Sequence, residues 1–436
     1  MEGSIYRGEL FYMVDSPLEN TSNSYRHFID GGLVVVDGRV KDTGDYNSMK
    51  SLYPEFPVVD YTGKLLMPGF IDTHNHFPQY EILGMYGKQL LDWLDDYTFP
   101  AERGFISEEH SSHIANLFLM ELLRNGTTCS CSYCTIHSSS VNALFTAASK
   151  YNMTMLAGKV MMDRNSPDFL QDNVIDGYND CRELIENWDG KGRNHYVVTP
   201  RFAITSTVDQ LNIAGRLHAE YPNTYVQTHL SENRSEIESV LSLFPDSNDY
   251  LEVYERAGLL TGKTIFGHCV HLTEREYGRL AESGAVVAHC PTSNLFLGSG
   301  LYDMDRANHS GIKTTLATDV GAGTSFSMLR TMGEAYKVQQ LRGYSLSPLE
   351  SLYNCTLGAA RSLGLDGDIG TLLPGRSADF IVVDYVVGQV QQSRMEYLIS
   401  KDKWTLENRL FGLQVLGDDR NIVSTYVMGR CVSQAI

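Results

Sequence analysis

Positive charge is the scarcest commodity in this sequence. Its 436 residues carry 35 lysines and arginines against 53 aspartates and glutamates, a formal charge of -18. That balance argues against a phosphate backbone or an anionic lipid surface as partner. Long apolar runs are missing too. None approaches the roughly 20 residues that a membrane-spanning helix needs, so neither nucleic acid nor membrane is expected as a partner. The start, Met1-Glu-Gly-Ser-Ile-Tyr6, has neither a basic segment nor an apolar one of the secretory kind. Eight cysteines without such a leader read as free thiols, and the expected compartment is the reducing cytoplasm. Internal repeats and low-complexity tracts are absent as well.

What is present changes texture twice. Residues 1–66 read as strands and turns, with Asp37-Gly38 a two-residue hairpin turn inside Phe28–Val40 and Phe56–Gly63 continuing the pattern. From residue 65 short apolar strands alternate with longer helical stretches. The strands read as Leu65–Thr73, Thr127–Tyr133, Met153–Met161, Tyr196–Thr205, Tyr225–His229, Thr264–His268, Ala285–His289 and Lys313–Asp319. Segments such as His113–Leu123, Ala143–Ala148 and Leu211–Leu217 show helical apolar spacing. After about residue 365 the chain reverts to β, with a short helix at Asn408–Leu416 and a closing hairpin around Met428-Gly-Arg430. Eight strand–helix alternations predict an α/β fold, a (β/α)8 TIM-like barrel over residues 67–368. A small β-sandwich built from both termini, 1–66 and 369–436, is expected beside it.

The strand ends carry the chemistry. The first ends in Asp72-Thr-His74-Asn-His76, where alternate side chains share a face. The fifth ends in His229-Leu-Ser-Glu232, the sixth in His268, the seventh in His289 and the eighth in Asp319. In a barrel these ends converge on one mouth. His74, His76 and His229 offer imidazoles and Asp319 a carboxylate, a set suited to one catalytic Zn2+, with Fe2+ as its competitor. No strand end shows a lysine able to bridge two metals. A bound metal lowers the pKa of water from about 16 to about 7. Asp319 is placed to take that proton, His268 to orient the hydroxide, and Glu232 to protonate a ring nitrogen of the substrate. The parts describe hydrolytic attack on an amidine-like or amide carbon.

Other combinations are weaker. Cys129-x-Cys131-x2-Cys134 resembles a metal knuckle and His218-Ala-Glu220 the His-x-Glu of small zinc deaminases. Those need His-x-Glu followed by Pro-Cys-x-x-Cys, and here the order is reversed and the proline absent. The cysteines read as packing residues. His27, His110, His113, His195 and His309 fit surface positions. His137 and His271 follow strand ends closely but read as solvated loop residues. His289 is open between a mouth wall and a supporting role, and Trp93 and Tyr97 between a lid and a packed loop.

Pro68-Gly-Phe-Ile-Asp-Thr-His-Asn-His76, followed by His229, His268 and Asp319, resembles the amidohydrolase superfamily, as does the late Gly370-x-x-x-Pro-Gly-Arg-x-Ala-Asp379. Within it, longer stretches resemble the guanine deaminases: His76-Phe-Pro-Gln79, Tyr86–Glu102, Gly158–Asn165, Thr199-Pro-Arg-Phe202, His229-Leu-Ser-Glu232 and Cys290–Gly300. The resemblance implies hydrolysis of guanine to xanthine and ammonia with one zinc per chain. It implies metal ligands at His74, His76, His229 and Asp319, Glu232 as proton shuttle, and His268 beside the hydroxide. It implies purine contacts from Gln79, Arg201 and Phe202, and a homodimer. Two rivals remain: a sibling enzyme acting on another purine, a pterin or a triazine, and a non-enzymatic oligomeric scaffold on the same barrel.

Overall fold

A computed structural model describes residues 3–87 and 89–434. Met1 and Glu2 of the N-terminal reading and Lys88 of the Tyr86–Glu102 motif lie outside them. Eight parallel strands form a nearly closed barrel, and a separate seven-stranded sheet is assembled from both ends of the chain. No helix among the described residues is long and apolar enough to cross a membrane.

The barrel strands, in order, are Phe70–His76, Thr127–Tyr133, Thr154–Gly158, Asn194–Pro200, Tyr225–Leu230, Thr264–His268, Val286–His289 and Lys313–Leu316. A two-residue extension, Val160–Met161, continues the third beside the fourth. Nearly every barrel-strand residue is buried, as expected of parallel strands covered by side chains inside and helices outside. The first and eighth strands are joined by Asp319 N–H donating to His74 O at 2.9 Å and His76 N–H to Val320 O at 2.5 Å. Thr318 N–H and Oγ1–H both donate to the Asp72 carboxylate, at 3.0 and 2.5 Å. The seam of the barrel is therefore stitched beside the His-x-His motif.

Inside the barrel Ile71, Cys131, Leu156, Val197, Ile265 and Val286 pack together toward the strand starts, with the short helix Leu357–Leu363 adding Ala359, Ala360 and Leu363. That plug closes one end and leaves the strand C-termini open for chemistry. The outer helices form for ordinary reasons. Glu108–Arg124 is capped by Ser107 and turns Ile114, Phe118, Leu119 and Leu122 inward at helical spacing.

In the terminal sheet the spatial order is Arg430–Gln434, Ile422–Val427, Phe380–Val383, Val58–Pro68, Gly3–Met13, Tyr25–Val36 and Arg39–Asp45. The two-layered unit expected from the termini is thus one hydrogen-bonded sheet, curled so that its hairpin turns meet. Val40 N–H donates to Arg376 O and Ala378 N–H to Gly38 O, both at 2.9 Å. Tyr6, Leu33, Leu66, Phe380 and Tyr426 fill its own small core. Asp37 and Gly38 both have positive φ, as a hairpin turn of the primed type requires.

Three local expectations need correction. Leu65–Thr73 is not one barrel strand. Residues up to Pro68 belong to the terminal sheet, and the barrel strand begins at Phe70. Gly69 is the joint: a Cβ there would lie 2.2–2.8 Å from the Thr128 side chain, so only glycine lets the chain change sheets. Residues 1–66 include the helix Tyr46–Leu52, capped by Asp45, where strands and turns were expected. The helix Gln389–Ser400 was not foreseen either, because it buries no residue and so leaves no apolar period to read.

Candidate functional site

The sequence-selected residues from five strand ends meet in one buried cleft. His74 and His76 end the first strand and are 0% and 4% exposed. The Asp319 carboxylate lies 3.3 Å from His74 Nε2 and 3.4 Å from His76 Nε2. His229 Nε2 is 3.2 Å from His76 Nε2. Ligand atoms of His74, His76 and His229 all fall within 4.8 Å of one another. Gly267 on the sixth strand makes room, since a Cβ there would stand 2.6 Å from the His74 ring.

Two observations test whether these side chains suit a metal. Neither ring nitrogen of His74 has a hydrogen-bond partner, and His76 Nδ1 has none. Buried polar atoms are rarely left so unless something else takes their lone pairs. His229 Nδ1–H donates to Arg201 O at 2.7 Å, which fixes the tautomer and turns the Nε2 lone pair inward. Burial lowers His76 to about 3 and His229 well below its ordinary range, so both rings are neutral, as ligands must be. Burial alone would raise Asp319, but His268, His74 and His76 hold it well below the usual carboxylate range. Three imidazoles, those of His76 and His229 kept neutral by burial, and an ionised carboxylate fit one divalent cation. A second grouping replaces His76 and His229 with His268 and Cys290. Cys290 donates to Ala288 O at 3.3 Å, is kept a thiol by burial, and does not line the cleft.

Glu232 and His268 stand beside this cluster. His268 Nε2 is 3.5 Å from Glu232 Oε2 and 3.7 Å from Asp319 Oδ2, and its Nδ1–H donates to Asn294 Oδ1 at 2.9 Å. Glu232 is buried, and desolvation together with Asp319 raises it to about 8, against a hydrogen bond from Ser299 Oγ at 3.0 Å. A carboxyl that keeps its proton at neutral pH, inside a cleft, is equipped for acid catalysis. His268, Asp319 and Ser231, the residue before Glu232, have φ of +69°, +52° and +50°. Non-glycine residues adopt such values rarely, and strain of this kind gathers where strand ends must aim side chains.

The cleft wall carries Gln79, Arg201 and Phe202 together with Trp93, Leu94 and Leu297. Gln79 Oε1 accepts from Gly321 N–H at 3.2 Å, so the amide NH2 is the part left for other partners. Arg201 donates from Nη1 to Glu102 Oε1 at 2.7 Å, and its guanidinium sits 5.7 Å from the Phe99 ring centre. Phe202 places its ring centre 6.4 Å from that of His229. The wall is largely apolar, with N–H donors from Arg201 and Gln79.

The remaining histidines separate cleanly. His289 is fully buried against Tyr302, 5.0 Å between ring centres, and lies off the cleft. His271 donates to Ser299 O at 2.7 Å, bracing the segment that carries the Glu232 partner. His137 and Tyr97 do not line the cleft, whereas Trp93 does. Cys129, Cys131 and Cys134 are buried in the second strand and just after it.

Several residues that sequence reasoning passed over hold the site. Asn75, between the two histidines, donates to Asp72 and Ser130 at 2.9 and 2.7 Å and accepts from Ser132 Oγ at 2.6 Å. It ties the first strand to the second rather than facing the cleft. Glu236 Oε2 accepts from Glu232 N–H at 2.9 Å and from Asn233 N–H at 3.1 Å, a capping box that fixes the Glu232 backbone. Asn294, Ser299 and Glu102 complete the set.

Comparison with known proteins places the chain in a family. Residues 65–432 match the Amidohydrolase family. Guanine deaminase of Escherichia coli is 49% identical over 420 residues, 96% of this chain and 94% of that protein. A solved structure of E. coli guanine deaminase superposes with a TM-score of 0.95 at 46% identity, covering all of both chains. Guanine deaminase from C. acetobutylicum, solved with bound guanine in the active site, gives a TM-score of 0.88 at 30% identity, over 99% of this chain and 100% of that one.

Proposed function

The chain belongs to the amidohydrolase family, and we propose that it is a guanine deaminase that hydrolyses guanine to xanthine and ammonia. The observation that carries this reading is one cleft in which His74, His76, His229 and Asp319 converge beside the buried Glu232 carboxyl and the N–H donors of Arg201 and Gln79. Relatives 37–49% identical over 96–100% of this chain are named guanine deaminase or probable guanine deaminase.

Donors on the wall select the base. Guanine turns O6 and N7, both acceptors, along one edge, whereas adenine places a donor amino group at the same position. Arg201 and the Gln79 NH2 complement the first and clash in polarity with the second. Rejection of a mispaired polar group in a buried site reaches about 10⁴-fold. Phe202, Trp93, Leu94 and Leu297 give the ring apolar faces and keep water out.

His74, His76, His229 and Asp319 would hold the metal, which when bound supplies a water already ionised near neutral pH for attack on C2. Glu232, protonated in its buried setting, gives its proton to N3 and makes C2 more electrophilic. Left ionised by that step, the carboxylate takes up the proton that Asp319 has received from the nucleophile and carries it to the departing amine. Asp319 accepts the proton that the nucleophile sheds. His268, fixed by Asn294, stands between the two carboxylates and orients the oxygen that adds to C2. Ser299 holds one oxygen of Glu232 so that the other faces His268.

Zinc as the metal, with Fe2+ competing for the same donors, belongs to the proposal. So do a homodimeric assembly and a cytoplasmic location. The test is ammonia release across guanine, adenine, a pterin and cytosine. Guanine is expected to be turned over far faster than the others. A pterin or cytosine preferred over guanine would replace this reading with that of a sibling enzyme.

A further inference from the structure

The wall arginine read as contacting the base leans on one carboxylate. Glu102 ends the short helix Phe99–Glu102, in the excursion that links the first barrel strand to its outer helix. It is fully buried. Its Oε1 accepts from Arg201 Nη1 at 2.7 Å, and its Oε2 is buried without a hydrogen-bond partner. Burial pushes its carboxyl above the ordinary range, and Arg201 pulls it back. Phe99, on the same helix turn, faces the same guanidinium.

Arg201 cannot shed its proton. An unpaired guanidinium at this place would add positive charge to a dry cleft that also takes a divalent cation, and it would attract anions there. Paired with Glu102, the guanidinium presents its remaining N–H donors while the pair carries no net charge. A donor wall of that kind fits an uncharged 6-oxopurine. It also gives no extra hold to an anion, and xanthine is a stronger acid than guanine and ionises near neutrality.

We propose that Glu102 is a positioning residue that aims Arg201 at the neutral base and, by cancelling the Arg201 charge, prevents retention of the anionic product. This rests on the reading of Arg201 as a base contact. The experiment uses metal-loaded Glu102→Gln and Glu102→Asp proteins, with steady-state guanine kinetics and xanthine inhibition at pH 6 and pH 9. In Glu102→Gln the KM for guanine is expected to rise on the order of tenfold, with a smaller change in kcat. Its Ki for xanthine is expected to fall roughly tenfold at pH 9 and much less at pH 6. A structural role alone would weaken guanine and xanthine together, and that result would overturn the proposal, as would an unchanged KM. Glu102→Asp keeps the charge with a shorter reach. It is expected to raise KM without tightening xanthine, which tests the proposal even where the Gln variant does not fold. Tighter xanthine in the Asp protein would refute the charge argument. Wild-type protein that releases no ammonia from guanine would sink the functional reading itself, a different outcome from an active wild type with an indifferent Glu102.

Discussion

Replacing Glu232 with glutamine changes one proton and almost no volume. Glutamine keeps an acceptor for Ser299 Oγ and adds nothing to the metal cluster, so metal content should stay at the wild-type level. What is lost is the acid for N3 and for the leaving amine. One positioned acid–base group is worth about 10²–10⁴-fold, and Glu232 acts in both proton transfers, so kcat should fall by about 10³-fold or more with KM little changed. The same substitution should move stability in the opposite direction. The carboxyl rises from 4.5 to about 8 on folding, so its ionised form is disfavoured in the folded chain. Its contribution to stability is complete below pH 4.5 and is lost as pH climbs toward 8. At pH 7 this amounts to on the order of 3 kcal/mol in the metal-free protein. Metal-free Glu232→Gln should therefore melt higher than metal-free wild type at pH 7, with the gap closing toward pH 4.5. Ammonia release, elemental analysis and thermal melting across pH read these three outcomes. Turnover within tenfold of wild type would refute the assignment of Glu232, and an equal or lower melting temperature at pH 7 would refute the burial argument.

Arg201→Met strands the Glu102 carboxylate in the interior and should cost about 3–5 kcal/mol of stability, seen as a lower melting temperature. Adding Glu102→Gln to it should recover part of that loss, and a double variant no more stable than Arg201→Met would contradict the pairing. Gly267→Ala pushes a methyl to 2.6 Å from the His74 ring and should lower metal content, measured by elemental analysis, before it lowers the amount of folded protein. Full metal occupancy in that variant would remove His74 from the ligand set.

Much of the site was legible because the barrel does the assembly. Eight strand–helix alternations force strand C-termini together, so His74, His76, His229, His268 and Asp319 could be gathered without knowing a distance. Gly69 and Thr128 show where that logic stops. The apolar run from Leu65 to Ile71 reads as continuous, but a close approach by a residue distant in sequence decides where one sheet ends and the other begins. The supporting residues were hidden for the same reason. Glu102 meets Arg201 across 99 positions and Ser299 meets Glu232 across 67. Glu236 alone had a local signal, since Asn233-Arg-Ser-Glu236 has the spacing of a capping box directly after Glu232. Asn75, between the two histidines, had no readable role, because its partners Asp72, Ser130 and Ser132 are set by how the second strand pairs with the first. The helix Gln389–Ser400 lay beyond sequence reasoning because it buries nothing.

Xanthine formation from guanine, followed before and after removal of metal by a chelator and again after adding zinc, bears most directly on the central claim. One xanthine and one ammonia per guanine are expected, lost with the chelator and restored by zinc. Guanine left intact by the metal-loaded protein, or turnover untouched by complete metal removal, would contradict it.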